Sequence, residues 1–249
     1  MRLPGTPINP EMAKTRSDVR RAAILTGAVG AVFAILFLLS LWLLHSTPKP
    51  VDSDESFIDF YSGDERQKIM LVGLYLLPFS AVAFIWFIAA LRQWVTRGSR
   101  RGSQMIGTVQ LLSGIGFITL ALASAAASTM PAAMVELGYG SSDAGMARQF
   151  PLFGDALLLV FGVRMSAMFV MTTARIGRAS GYMPRWFSIA SMVAAAILFL
   201  SYSLTVWLAV VFPLWVLALG LLIIYHAYRA DPESLGRMRA AGADPGDEP

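Results

Sequence analysis

Six apolar stretches alternate with polar segments along this chain, at residues 22–44, 69–91, 104–130, 150–175, 186–204 and 206–228. A helix of about 20 residues rises about 30 Å, the thickness of a bilayer's hydrocarbon core. In lipid the backbone must satisfy its own hydrogen bonds, which a helix does within one segment. The pattern therefore predicts an all-α polytopic membrane protein with six transmembrane helices in a bundle. Residues 1–21 form a basic lead, 22–229 the membrane domain, and 230–249 a tail whose last residues read as disordered. The first apolar stretch is too long for a signal-peptide core and lacks a small-x-small cleavage site, so it reads as a retained helix.

Charge sets the orientation. The lead, the segments after the second and fourth helices, and the tail carry 15 of the 20 Lys and Arg residues. The segments at 45–68 and 131–149 carry four. The positive-inside rule then places both termini in the cytoplasm. The basic residues sit at helix ends, which points to topology rather than to nucleic acid. Arg97, Arg100, Arg101, Arg175 and Arg178 are placed to meet anionic lipid headgroups. Arginine outnumbers lysine 17 to three, and with the high Ala and Gly content this suggests a GC-rich bacterial genome and a plasma-membrane location. There is no cysteine, which removes disulfides, thiol chemistry and cysteine metal sites.

Several helices carry small residues suited to close contact: Gly27 and Gly30 in the first, Gly107, Gly114, Gly116 and residues 123–128 in the third, and Ser188, Ser191 and Ala194–Ala196 in the fifth. The thin third helix is expected inside the bundle. Pro78 predicts a kink in the second helix, and Pro213 falls within the sixth. The second and third helices, and again the fourth and fifth, form hairpins about arginine-rich segments, as an old duplication would leave.

Only Asp155 and Arg164 place charge well inside an apolar stretch. Arg164 lies about 16 Å along the helix from Arg175, near mid-membrane. An arginine there costs at least about 2.5 kcal/mol and faces a bundle interior or cavity. Asp155, nine residues away, falls on the opposite face about 13 Å off. Gln110, Ser113, Tyr75 and Tyr202 are the polar groups on other helices that could meet Arg164. Together Arg164, Gln110, Ser113, Tyr75 and Asp155 form the candidate intramembrane polar site, for an anion or a headgroup. The plainer alternative is a structural arginine, bonded to carbonyls or snorkelling inward along its stem.

Other chemistry fails on residue type. The acidic segment 45–68 invites a calcium reading, but Phe57 stands where an EF-hand needs its turn glycine; a solvated acidic loop is expected. Gly154-Asp155 has the look of an intramembrane aspartyl protease but lacks a second membrane aspartate. Ser113-Gly114 has the look of a rhomboid serine, yet His45 and His226 lie at opposite ends of the membrane and neither supplies its base. No membrane lysine exists for a Schiff base. Met165, Met168 and Met171 line one side of the fourth helix and read as flexible packing rather than copper ligands. No cofactor, catalytic residue or metal ligand is expected.

Phe60-Tyr61-Ser62, Leu74-Tyr-Leu-Leu77, Phe84-Ile-Trp-Phe87, Leu91-Arg92 and Met183-Pro-Arg-Trp186 resemble motifs of six-helix actinobacterial integral membrane proteins of unknown function. The resemblance covers most of residues 22–229 and implies location and helix count, with no activity to transfer. The expected function is a non-enzymatic membrane component or assembly subunit. The alternative is a small carrier or channel for an anion or amphiphile that uses Arg164.

Overall fold

The computed structural model describes residues 10–49, 51–95, 102–139, 143–181, 183–201 and 206–229. Every regular element among them is helical: α1 (Pro10–Leu44), α2 (Asp54–Ser62), α3 (Glu65–Leu71), α4 (Leu77–Val95), α5 (Gly102–Glu136), α6 (Ala144–Ala156), α7 (Val163–Ala179), α8 (Arg185–Leu200) and α9 (Val206–Arg229). A π-helical segment, Val72–Leu76, fuses α3 to α4, and a second, Leu157–Gly162, fuses α6 to α7.

Five continuous helices are long and apolar enough to cross a membrane: Arg20–Leu44, Glu65–Arg92, Gln104–Glu136, Ala144–Ala179 and Trp207–Tyr228. The sixth expected span, α8, has 16 residues. It rises about 24 Å, short of a typical hydrocarbon core. It ends at Leu200 rather than 204.

α1 packs between α4 and α9, α5 packs on α4, α6 and α7, and α8 rests almost wholly on α7. The α5–α7 register is antiparallel. Gln110 meets Thr173, Gly114 meets Phe169 and Gly116 meets Met165. Glycines permit these approaches, as the sequence suggested for α1: Gly27 lies on Gly220, and Gly30 on Phe87. α5 is not enclosed, however. It buries one face and leaves Leu112 and Ile115 exposed on the other. Small residues bring a helix close to its neighbours on one side without requiring neighbours all round.

The centre is aromatic. Phe84 lies 4.6 Å from Phe33, 5.7 Å from Phe117, 5.3 Å from Phe169 and 5.5 Å from Phe212, ring to ring. All five rings are at most 2% exposed. One phenylalanine from each of five helices thus closes the middle of the bundle, and edge-to-face contacts add to the burial energy.

The expected loop 45–68 is largely helical. Ser53 caps α2 by accepting from the Ser56 N–H, and Asp54 and Glu55 favour the positive helix end. Phe57 and Tyr61, one turn apart, bury against Ile69, Ala132 and Ala147. The expected loop 131–149 shrinks in the same way. α5 runs through Pro131 to Glu136, and α6 starts at Ala144 rather than Phe150. Proline removes one donor from α5, and the helix continues past it for five residues. α2, α3 and these two extensions form a cap on one end of the bundle. Arg148 binds Asp54 at 2.8 Å and Arg66 binds Glu136 at 3.1 Å across it. The opposite, basic end carries Arg92, Arg175, Arg178 and Arg185. Arg97, Arg100, Arg101, Tyr202 and the tail from residue 230 lie outside the described residues, as do residues 1–9 of the lead.

Candidate functional site

Arg164 is part-buried and binds two carbonyls. One terminal nitrogen donates to Leu159 O at 2.6 Å and the other to Ser201 O at 2.7 Å. Local backbone geometry supplies the first acceptor. In the π-helical segment the Val163 N–H reaches back five residues to Leu158 O. Leu159 O, its usual α-helical partner, is left to the side chain. The second acceptor is the C-cap of α8. The last carbonyls of a helix have no partner within it, and Ser201 stands at the C-terminal end of α8. The guanidinium meets one of them and sits at the negative end of the helix dipole.

This geometry is the carbonyl-bonded arrangement considered for Arg164, with one difference of direction. Side chains on a helix lean toward its N-terminus. Arg164 accordingly reaches toward the capped end and not toward Arg175.

The other residues of the candidate site stand apart from it. Gln110 is buried and its Nε2 donates to Thr173 Oγ1 at 2.6 Å, which places it nine residues, about 13 Å, along α7 from Arg164. Its Oε1 is buried without a partner. Ser113 is buried and donates to Gln110 O of its own helix at 3.0 Å. Tyr75 is 54% exposed and stacks on Phe79. Asp155 is exposed, on the far side of the π-helical segment from Arg164. Each polar group is placed by its own helix, so the five do not converge. Sequence reasoning allowed for carbonyl partners of Arg164 but did not identify Leu159 and Ser201, because no residue type marks a backbone acceptor. It also missed Thr173, and the bond from Trp215 Nε1 to Ser191 Oγ at 2.8 Å that ties α9 to α8. Ser191 was marked only as part of a small-residue face, and nothing in the sequence pairs it with Trp215.

The histidines stay apart. His45 is exposed at the capped end, and His226 Nδ1 lies 3.0 Å from Leu222 O of its own helix. Among the described residues no group of three or more His, Asp or Glu side chains could hold a metal. The Met165 sulfur lies against Gly116, a packing contact.

At the cap, burial with no hydrogen-bond partner pushes the Tyr61 hydroxyl pKa up to about 12. Arg148 also sits over the Phe57 ring, 4.9 Å from its centre.

Comparison with known protein families, with curated proteins and with solved structures finds no match for this chain.

Proposed function

We propose that this protein is a non-enzymatic component of a bacterial plasma membrane, with six spans and both termini in the cytoplasm, that works by assembling with a membrane partner or with itself. The aromatic centre carries the reading: five phenylalanines from five helices fill the space through which a polar path would run. Described polar side chains within the spans bond their own helix or pair one to one with a neighbouring helix, and they do not gather into one cluster, which supports a scaffold more than a reaction site. Apolar side chains such as Leu25, Ile35, Phe79 and Trp86 are more than half exposed, as lipid or a partner helix requires. The arginine distribution, the GC-rich composition and the actinobacterial resemblance support the location and orientation.

A second reading has one observation in its favour. Arg164 is a part-buried cation, and the ion pairs among the described residues do not include it. A carrier or channel for an anion or amphiphile would use such a group. Gentle extraction from native membranes followed by native mass spectrometry tests the first reading: a stoichiometric protein partner or a defined homo-oligomer is expected. A bare monomer, together with liposome anion flux abolished by Arg164→Leu, would replace it with the second.

A further inference from the structure

We propose that Arg164 holds a phosphate group, presented by a phospholipid of the leaflet that meets the capped end of the bundle. A guanidinium has five N–H donors, and the two carbonyls engage its terminal nitrogens. Among the described residues its Nε has no hydrogen-bond partner. Yet it is not among the buried unpartnered side-chain atoms of the described residues, which are the Tyr61 hydroxyl, Arg66 Nε, Gln110 Oε1 and Arg148 Nε. Arg164 itself is part-buried, so its side chain is not sealed within the helix packing. Phe161, on the preceding turn, and Leu200, beside Ser201, are both exposed there, at 56% and 78%. Exposed apolar side chains beside the guanidinium are what a lipid-facing site presents.

Charge and depth agree on the ligand. No described carboxylate pairs with Arg164, and the end of α8 offsets only about half an elementary charge. α8 has 16 residues, and a helix shorter than the hydrocarbon core draws the bilayer thin around it. The headgroup layer thus descends toward the end of α8, where Arg164 reaches to meet it. A planar guanidinium with free donors matches a phosphate better than any other lipid group. The same chemistry would accept free inorganic phosphate, so the test separates the two sources. The proposal rests on α8 lying in the membrane as the sixth span, and not on the assembly reading or on which leaflet is cytoplasmic.

The experiment is native mass spectrometry of the full chain in detergent, titrated with phosphatidylglycerol, with diacylglycerol of the same chains, and with inorganic phosphate. Wild type should retain one phosphatidylglycerol about tenfold more tightly than diacylglycerol, and millimolar phosphate should not displace it. Arg164→Gln, shown folded by its thermal transition, should lose the preference. Equal retention of the two lipids by wild type overturns the proposal, as does an unchanged preference in folded Arg164→Gln. Phosphate that binds as well as the phospholipid overturns the lipid source. Should Arg164→Gln not fold, Arg164→Lys keeps the charge without the planar fork and should weaken retention about threefold, with no weakening counting against the site. The wild-type comparison decides in either case.

Discussion

Gly27 and Gly220 meet backbone to backbone: a methyl carbon built on Gly220 would lie 3.1 Å from the Gly27 Cα, and one on Gly27 would lie 3.0 Å from Gly220 O and collide with Ile224. α1 and α9 are thus joined at a point where neither can carry a side chain. Gly220→Ala should destabilise the bundle by about 1–3 kcal/mol, the usual cost of overpacking. Gly107, inside α5 with nothing within 4 Å of an added methyl, is the control. Gly107→Ala should be neutral or stabilising by up to about 1 kcal/mol through helix propensity. Thermal unfolding in detergent ranks the two, and the reverse order would contradict the α1–α9 contact.

Gln110 and Thr173 allow an asymmetric test. Gln110→Leu removes one hydrogen bond but also removes the orphaned Oε1. Its cost should be small, under about 1 kcal/mol. Thr173→Val leaves the whole buried amide without a partner and should cost about 1–3 kcal/mol. If Gln110→Leu proves the worse of the two in chemical denaturation, the pairing is misassigned.

The Ser191–Trp215 bond holds α9 to α8, which otherwise touch little. Ser191→Ala strands a buried indole N–H and should destabilise by about 1–3 kcal/mol. Trp215 emission should move to shorter wavelength as the bond is lost. Unaltered emission and stability would mean that the indole finds another acceptor.

At the cap, apolar burial should outweigh charge. The Asp54 side of the Arg148–Asp54 pair is 68% exposed, so Asp54→Asn should cost at most about 1 kcal/mol. Phe57→Ala removes a ring that is 2% exposed and should cost about 3–5 kcal/mol of cap stability. Limited proteolysis between residues 45 and 65 reads both: rapid cleavage is expected for Phe57→Ala alone.

Tyr61 gives the cap a pH limit. Its hydroxyl pKa is raised from 10.0 to about 12. The folded cap therefore holds the phenol proton where the unfolded chain has lost it. The cap is at full stability below pH 10 and loses stability as pH rises from 10 toward 12. Tyr61→Phe should abolish that loss without weakening the cap at neutral pH, since the hydroxyl has no partner. Hydrogen exchange of α2 across this range is the measurement. An identical alkaline loss in Tyr61→Phe would assign it elsewhere.

The helical, membrane-compatible character was legible from the apolar stretches alone, because lipid demands a fixed length of continuous apolar helix. Gly27 and Gly30 were legible as contact points for the same kind of reason: a missing side chain has few uses inside a membrane helix. The ends of the helices were less legible. α2 was hidden in an acidic segment because its stabilising face, Phe57 and Tyr61, needs Ala132 and Ala147 from distant parts of the chain. Pro131 reads locally as a helix stop, yet α5 runs through it to Glu136. The sequence by itself determined that Arg164 falls inside a long apolar helix and must be compensated there. Only the tertiary structure decided how. Its partners are carbonyls exposed by a π-helical turn and by the end of a short helix, and backbone groups carry no mark in the sequence until the fold leaves them unpaired.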